Sequence, residues 1–478
     1  MKKLCFLLAI IFVAYSCSSD SSDPAPNPGS QNPSTPNNDN NGGGSLSSAN
    51  NLISFQFKKN VNDIPVDSEA TIAGTTIGLF LPPSTTLEDL IPEFQVSNGA
   101  SVYGSSGGQE AIELTSGVTS LDILDGATIE VRAANGNART FTIDLTTDFP
   151  LLDERIASFM EAQNVPGVQV AITKNEKLVY QKSFGWSDVE NEIPVNNGSL
   201  FRIASISKPL TAIGIYILRE QGKLGLGNKV FGDDGILGNT YGTPPYSDDI
   251  LDINVGHLLD HRAGGWTNDG NDPMFLDYSW DFEQLIGYTL DNIPLEHEPG
   301  TTYLYSNFGY CLLGRIIEKV TDQTYEQFMM ENVLAPCGIE DMAIAKNLLE
   351  EKAPNEVTYY SLGWSPYGIN VTRMDSHGGW IASATDLLRF LVRIDRNTEV
   401  EDIVNSYPMY FSYQNWSHSG ALPGTATLLE RRNDEFGYSI LTNGTSTGNW
   451  PSIPLMGQAV LDEIDSRQEW PNYDLFEN

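Results

Sequence analysis

Residues 151–464 carry strand-forming runs at both ends and a helix-rich middle, and this arrangement limits the folds open to the chain. Apolar residues alternate with others in four runs, at 168–172, 178–180, 425–429 and 438–441. Apolar residues at helical spacing precede the first two runs and follow the last two. We therefore predict an α+β domain over residues 149–478, in which an antiparallel sheet closed by both chain ends is flanked by helices and joined to a helical subdomain.

A different pattern fills residues 51–147, where short β-prone runs at period two are separated by turn residues. It predicts a small all-β antiparallel sandwich. The opening ISFQF at 53–57 and the closing ANGNARTFTI at 134–143 resemble the immunoglobulin-like spacer domains of surface lipoproteins. The resemblance implies an Ig-like spacer domain, and its role, including any binding of glycan or protein, stays open.

The first residues are typical of a secreted lipoprotein. Lys2 and Lys3 precede an apolar run too short to span a bilayer, which predicts a signal peptide at residues 1–16. Cys17 ends a sequence that resembles a bacterial lipobox, which implies lipidation of its thiol. Residues 17–50 are rich in Ser, Asn, Pro and Gly and predict a flexible linker. The chain is expected outside the cytoplasm, lipid-anchored to a bacterial membrane.

Charge and cysteine usage exclude some classes of partner and site. With 27 basic and 62 acidic residues the formal net charge is −35, which disfavours nucleic-acid binding. Cys5 and Cys17 belong to the leader, so Cys311 and Cys337 remain. Their apolar and turn neighbours predict buried free thiols, and a disulfide between them stays open.

The S-x-x-K spacing of Ser205 and Lys208 stands where an apolar helix begins. Residues three apart on a helix share a face, so the hydroxyl and the amine can touch. A serine nucleophile needs a neutral acceptor for its proton, and burial near a helix N-terminus disfavours a charged lysine. Lys208 is therefore a candidate general base.

Two further motifs follow in order. Tyr305 and Asn307 form a Y-x-N motif before a second apolar helix, and His418 to Gly420 form an H-x-G triplet before a predicted strand. The series S-x-x-K, Y-x-N, H-x-G resembles the serine β-lactamase and penicillin-binding-protein superfamily, in its class C, D-aminopeptidase and esterase-like branch.

The resemblance implies a role for each motif residue. Ser205 is the expected acylated nucleophile, Lys208 and Tyr305 are alternative general bases, and Asn307 orients the substrate or Lys208. The strand with His418, Ser419 and Gly420 lines the site. The backbone N–H groups of Ser205 and Ala421 are expected to form the oxyanion hole.

Many relatives carry lysine where this chain has His418. Imidazole is mostly neutral at pH 7, so we expect weak recognition of β-lactam carboxylates. The predicted activity is hydrolysis of small esters, amides or D-amino-acid peptides, with cell-wall peptide as a further possibility. Two alternatives are a non-catalytic sensor or binding module of the same fold and a true β-lactamase.

The remaining histidines carry no predicted chemistry. His257 and His261 lack the glutamate of an H-E-x-x-H zinc motif and are assigned to a structural helix–loop segment. His297 and His377 are assigned to loops. No metal or organic cofactor is expected.

Overall fold

A computed structural model describes most of the chain beyond its N-terminus. The described residues are 46–83, 85–269, 272–408, 415–433, 435–445 and 452–477. The predicted signal peptide at 1–16, the lipidation site Cys17 and nearly all of the predicted linker at 17–50 lie outside them. Residues 47–478 fall within one compact unit.

The described part of residues 52–146 consists of short strands. They are β1 Leu52–Phe57, β2 Ser68–Glu69, β3 Thr71–Ala73, β4 Thr76–Phe80, β5 Pro92–Val96, β6 Ser101–Ser105, β7 Ile112–Leu114, β8 Thr128–Arg132 and β9 Ala138–Thr146. They form a three-stranded sheet, β2-β1-β5, and a six-stranded sheet, β3-β4-β9-β8-β6-β7. Alternate side chains such as Phe55, Ile129 and Phe141 are buried in one apolar core.

One strand pair departs from the predicted antiparallel arrangement. β4 and β9 pair in parallel, with Ile77 opposite Ile143. Parallel neighbours need a long connection, and the intervening strands β5 to β8 supply it. The all-β content agrees with the prediction, whereas the Ig-like assignment and the domain boundaries stay predictions.

The strands after residue 150 include those predicted from the alternating runs. They are β10 Gly167–Lys174, β11 Lys177–Asp188, β12 Ile193–Pro194, β13 Phe201–Arg202, β14 Ala343–Ile344, β15 Tyr360–Ser361, β16 Trp380–Ala382, β17 Trp416–Leu422, β18 Thr425–Arg432, β19 Phe436–Thr442 and β20 Gly444–Thr445.

The helices lie mostly between the two groups of long strands. They are α1 Pro150–Gln163, α2 Ser207–Glu220, α3 Asp248–Asp252, α4 Val255–Leu259, α5 Phe282–Asn292, α6 Asn307–Thr321, α7 Tyr325–Met329, α8 Asp375–Gly378, α9 Ala384–Leu391 and α10 Ile453–Ser466.

The main sheet has the order β12-β11-β10-β19-β18-β17, and all of its pairs are antiparallel. β10 pairs with β19, so that Val168 lies opposite Thr442. The two ends of the domain therefore meet at the middle of one sheet, which confirms the predicted α+β fold. β17 is left at the edge.

Both faces of this sheet are covered. Val168, Val170 and Ile172 of β10 pack with α1 and α10 in one apolar cluster. Ala171, between them, packs on the opposite face with α2 and α6 in the largest cluster. The alternation of side chains across β10 is the reason why one strand serves two cores.

The helical subdomain is built on α2 and α6. Twelve consecutive residues of α2, from Ser207 to Leu218, are buried. A Cβ on Gly314 of α6 would lie 2.6 Å from Ser376 Oγ, so glycine allows α6 to approach α8 closely. This contact places α8 beside the start of α2.

Cys311 and Cys337 are buried free thiols, as the sequence predicts. Burial raises the pKa of each thiol to about 12. Within the residues that the structure describes, we find no helix with the length and hydropathy needed to cross a bilayer.

Candidate active site

Ser205 lies in a tight turn at the start of α2. The turn Ala204–Ile206 is a 3-10 helix that continues directly into α2 at Ser207. Ala204, just before the serine, has a φ of 48°, a left-handed conformation that costs a non-glycine residue about 1 kcal/mol or more. The fold thus holds a strained backbone immediately before the predicted nucleophile.

The strand before this turn is fixed by a buried arginine. Arg202 is fully buried, and its guanidinium donates to the carbonyls of Pro366 and Lys346. Its backbone N–H donates to Tyr359 Oη, and its guanidinium carbon stacks 4.4 Å from that ring's centroid. These bonds anchor the approach to Ser205 at several points, which supports the strained turn.

Lys208 points from α2 towards Ser205. Its Nζ lies 3.0 Å from Ser205 Oγ and donates to the carbonyl of His377 at 2.9 Å. The side chain is 1% exposed. Burial lowers the pKa of Lys208 to about 7, an effect that the charge of Asp272 partly opposes. A large fraction of Lys208 is therefore neutral near pH 7, as a general base requires.

Tyr305 and Asn307 are positioned by the cap of α6. Ser306, between them, is the N-cap residue, and its Oγ accepts from Gly309 N at 3.0 Å and donates to Trp266 O. The Y-x-N motif is therefore a helix start in which the middle residue caps the helix and its neighbours extend into the site.

Tyr305 completes the group around Ser205. Its hydroxyl is hydrogen-bonded to Ser205, and Lys208 Nζ lies 4.8 Å from the centroid of its ring. Burial raises the pKa of Tyr305 to about 12. The phenol is therefore neutral at pH 7 and retains a proton to donate.

The edge strand β17 comes close to the turn that holds Ser205. A Cβ on Gly420 would lie 2.3 Å from Ile203 O and 3.0 Å from Ala204 Cβ. Thr427 Oγ1, on the neighbouring strand, donates to the same Ile203 carbonyl. Only glycine permits this approach, which brings Ala421, the next residue, beside the Ser205 turn.

His418 stands two residues before Gly420 on β17, and its side chain is half-buried. Its Nδ1 lies 3.1 Å from the carbonyl oxygen of Ser419, an exposed residue. Burial, with a smaller effect of Lys208, lowers the pKa of His418 to about 4. The imidazole is therefore neutral at pH 7, as we expect for a histidine at this position.

Asn307 has a partner that the sequence did not reveal. Its Nδ2 donates to Asp272 Oδ2 at 2.6 Å, and its backbone N–H donates to Asn268 Oδ1. Asp272 lies in the loop before α5 and belongs to none of the three motifs. An Asp before a Pro is typical of a helix start, so the sequence could have predicted a helix cap at Asp272. It could not have predicted that Asp272 lies next to the motif residue Asn307.

His261 also lies in the site, next to Tyr305. Its ring packs on that of Tyr305, with 4.4 Å between the centroids, and its Nδ1 accepts from Ser306 N. Burial lowers the pKa of His261 to about 3, so that the ring stays neutral.

His257 is on α4, where its Nε2 lies 3.1 Å from Asn254 Nδ2.

The assignment of His377 to a loop was wrong. It lies in the four-residue helix α8 and is fully buried. A helix of one turn has no periodicity that a sequence can display, and its burial depends on the tertiary contact with α6. His297 lies in a loop, as predicted.

Among the described residues no group of three His, Cys, Asp or Glu side chains could hold a metal ion.

All three motifs thus meet at one place. Ser205, Lys208 and Tyr305 are in mutual contact, and β17 lies along one side of them. Asn307 is turned towards Asp272, whose charge acts on both Lys208 and Tyr305.

Part of the chain is similar in sequence to known proteins. The chain is 31% identical over 198 residues to penicillin-binding protein 4* of Bacillus subtilis (strain 168), a match that covers 39% of each chain. It is 29% identical over 189 residues to a putative D-alanyl-D-alanine carboxypeptidase of Escherichia coli (strain K12), which covers 36% of this chain and 42% of that protein. The matched part thus spans less than half of the length of these relatives.

A solved structure agrees with the fold. The octameric penicillin-binding protein homologue from Pyrococcus abyssi superposes with a TM-score of 0.51 at 26% identity, covering 66% of this chain and 77% of that one. The sequence pattern of the beta-lactamase family matches residues 152–421, more than half of the chain. This stretch contains every motif residue that lies around Ser205. The chain therefore belongs to the beta-lactamase family.

Proposed function

We propose that this protein is an extracytoplasmic serine hydrolase that acts through an acyl-enzyme on Ser205. The observation that carries the proposal is the 3.0 Å contact between Ser205 Oγ and the buried Nζ of Lys208. A serine hydroxyl is a weak nucleophile until an adjacent neutral base takes its proton. The lowered pKa of Lys208 supports such a base at neutral pH.

Ser205, Lys208 and Tyr305 together can carry out the acylation step. Neutral Lys208 takes the proton of Ser205 as Oγ attacks the substrate carbonyl carbon, and the carbonyl π bond becomes an oxyanion. The C–O or C–N bond to the leaving group then breaks, and the leaving group takes a proton from the Lys208 ammonium through the Tyr305 hydroxyl. Water then gives a proton to Lys208 as its oxygen attacks the acyl carbon, the bond between this carbon and Ser205 Oγ breaks, and Oγ takes the proton back as the acid leaves.

Tyr305 fits the proton relay better than the base. Its pKa of about 12 leaves little phenolate at pH 7, whereas Lys208 titrates near 7. A group with a pKa near the working pH makes the more effective base. We therefore assign the base to Lys208.

The oxyanion is proposed to be held by the backbone N–H groups of Ser205 and Ala421. The close approach of Gly420 to Ile203 and Ala204 supports this pairing, because Ala421 follows Gly420 and Ser205 follows Ala204. A backbone donor in such a position supplies about 3 kcal/mol, since charge develops on the oxygen only in the transition state.

Small esters, amides and D-amino-acid peptides are the proposed substrates, with cell-wall peptide included. His418 is neutral at pH 7 and offers no permanent cation for a substrate carboxylate. The relatives named for penicillin binding and for a D-alanyl-D-alanine carboxypeptidase support peptide substrates. The lipid anchor at Cys17 and the location outside the cytoplasm are proposed from the leader sequence.

Covalent labelling tests the proposal. The purified protein is incubated with a fluorophosphonate or a fluorescent penicillin, and the adduct is located by mass spectrometry. We expect an adduct on Ser205 and its loss in Ser205→Ala. Hydrolysis of p-nitrophenyl esters, nitrocefin and D-alanyl peptides then measures turnover. Ser187→Ala, which changes a serine on β11 whose hydroxyl bonds the Ile193 carbonyl, is the matched control.

The outcomes separate the alternatives. Reversible binding without an adduct would support the sensor module and contradict the proposal. An adduct that forms and is released, with esters turned over faster than nitrocefin, supports the hydrolase. Faster turnover of nitrocefin would identify a β-lactamase instead.

A further inference from the structure

We infer that His261 is a positioning residue for Tyr305, which it holds by the main chain on both sides and by the ring. This inference rests on the proposed function, in which Tyr305 relays a proton from Lys208 to the leaving group. The sequence assigns His261 only to a structural helix–loop segment, and its contacts give it a more specific task.

His261 contacts three successive residues around the Y-x-N motif. Its carbonyl oxygen accepts from Leu304 N at 2.7 Å, and its side-chain Nδ1 accepts from Ser306 N at 3.1 Å. Tyr305 lies between these two residues, and its ring packs on the imidazole with 4.4 Å between the centroids and 32° between the planes. One residue thus fixes both the backbone and the ring of Tyr305.

The carbonyl group of Tyr305 is held by the loop that follows His261. Its oxygen accepts from Asn268 N at 2.9 Å and from Thr267 Oγ1 at 3.3 Å. The N–H groups on either side of Tyr305 and its own carbonyl are therefore all bonded to residues 261–268. The phenol keeps only the torsions of its side chain, and packing of the ring on His261 limits these.

His261 has a backbone conformation that favours glycine. It is the second residue after α4, which ends at Leu259, and its φ is 55°. His261 N donates to Leu258 O at 3.3 Å. Arg262 N donates to His257 O at 2.7 Å, and the two bonds together form a Schellman motif. Glycine is the usual residue at this position, so a histidine held there under strain indicates that its side chain has a task.

The bond to Ser306 fixes the tautomer of His261. A main-chain N–H group can only donate, so Nδ1 is the unprotonated nitrogen and Nε2 carries the proton. Burial, with smaller effects of Lys208 and His418, lowers the pKa of His261 to about 3. The ring is therefore neutral at pH 7, and Nδ1 remains an acceptor.

The test compares two variants of His261 that suit the left-handed conformation. His261→Gly removes the acceptor and the ring, whereas His261→Asn removes the ring and places an amide oxygen close to the position of Nδ1. We expect kcat/KM on a neutral p-nitrophenyl ester to fall by about tenfold in His261→Gly, because the relay is no longer held in position. His261→Asn should be about threefold faster than His261→Gly, because Ser306 N regains an acceptor.

A double-mutant cycle with Tyr305→Phe shows whether His261 acts through Tyr305. Once the hydroxyl is absent, its position no longer matters, so His261→Gly should lower kcat/KM by less than about threefold in the Tyr305→Phe background. A residue with a merely structural role would cause the same loss in both backgrounds. Equal losses overturn the inference, as does a rate of His261→Asn no higher than that of His261→Gly.

Asp322→Gly is the matched control. Asp322 caps the C-terminal end of α6, is exposed, and has a φ of 59°. The variant makes the same exchange to glycine in a similar backbone conformation, at the end of α6 that is farther from Tyr305. We expect kcat/KM to be unchanged in both backgrounds. A loss equal to that of His261→Gly would contradict the inference.

Thermal unfolding shows whether each variant is folded. Should His261→Gly not fold, His261→Asn takes its place in the cycle. Its loss of kcat/KM relative to the unchanged protein should again disappear in the Tyr305→Phe background, and a loss that persists overturns the inference.

NMR of isotope-labelled histidine separates this inference from the proposed function. The signals of His261, assigned by their absence from His261→Asn, should show Nε2 protonated and Nδ1 unprotonated at neutral pH. A protonated Nδ1 overturns the inference. If Ser205 takes no covalent label, the proposed function fails, while the expected tautomer still supports the contact with Ser306. If Ser205 is labelled and the cycle gives equal losses, only the inference fails.

Discussion

The Nζ of Lys208 donates to the main-chain carbonyl of His377 at a distance of 2.9 Å. The carbonyl orients the amine but carries no net charge, so it does little to offset the burial that lowers the pKa of Lys208. His377 can serve in this way because α6 holds α8 against the start of α2 through the contact of Gly314 with Ser376. A residue outside the three motifs therefore sets the direction of the base.

The first prediction concerns pH. Only neutral Lys208 can accept the proton of Ser205, so kcat/KM should rise about tenfold per pH unit below a midpoint near pH 7 and then level off. Initial rates on a neutral p-nitrophenyl ester from pH 5 to 9 measure this. A midpoint near pH 4 or near pH 10 would assign the limb to another group.

Lys208→Met should remove activity and stabilise the fold. The folded-state pKa of Lys208, about 7, lies below the ordinary lysine value of 10.5, so the unfolded chain binds more protons between these values and stability rises with pH across this window. Methionine removes the buried charge. The gain in unfolding free energy over the unchanged protein should therefore be greater at pH 6 than at pH 9.5, by on the order of 3 kcal/mol.

Denaturant unfolding at the two pH values measures that difference. Lys223→Met, which changes an exposed lysine after α2, is the matched control and should give no such difference. Equal effects of Lys208→Met at both pH values would contradict a lowered pKa.

Tyr305→Phe tests the assignment of the relay. Loss of the hydroxyl should lower kcat/KM by about 100-fold or more, while the acid limb stays near pH 7, since a neutral phenol contributes no charge near Lys208. Disappearance of the limb would instead indicate that Tyr305 is the base. Tyr303→Phe, two residues earlier and 57% exposed, serves as the control.

Gly420→Ala should separate β17 from the Ser205 turn. The new Cβ would lie 2.3 Å from Ile203 O, a backbone atom that cannot move without moving Ala204. We expect kcat/KM to fall by about 100-fold or more as the proposed oxyanion donors move apart. Covalent labelling and thermal unfolding are measured together. Gly227→Ala, where an added Cβ meets no atom within 4 Å, should change neither.

His418→Lys should change the preference among substrates. A lysine at this edge position would add the cation that neutral His418 lacks, so the ratio of kcat/KM for nitrocefin to that for a neutral ester should rise by about tenfold. Rates on both substrates at pH 7.5 give the ratio. An unchanged ratio would mean that position 418 does not contact the substrate carboxylate.

The motif residues could be found from sequence because their spacing is local. Ser205 and Lys208 lie one helical turn apart, and Ser306 between Tyr305 and Asn307 is a typical helix cap. The alternating runs that become β10, β18 and β19 likewise show which residues face a core. Each of these signals belongs to a short stretch of chain.

Other features arise only when distant parts of the chain meet. Asp272 and His377 belong to no motif. The contact of Asp272 with Asn307 depends on a loop held by Arg373, and the contact of His377 with Lys208 depends on a one-turn helix packed against α6. The parallel pairing of β4 with β9 could not be predicted either, because alternation of apolar residues does not show the direction in which two strands pair.

The sequence by itself determined the sheet closed by both chain ends, the order of the motifs and the identity of the nucleophile and base candidates, because periodicity and spacing are properties of neighbouring residues. The tertiary structure decided which candidate has the pKa of a base. Burial and charge at Lys208 are produced by groups that lie up to about 200 positions away in the sequence, and only folding brings them within reach.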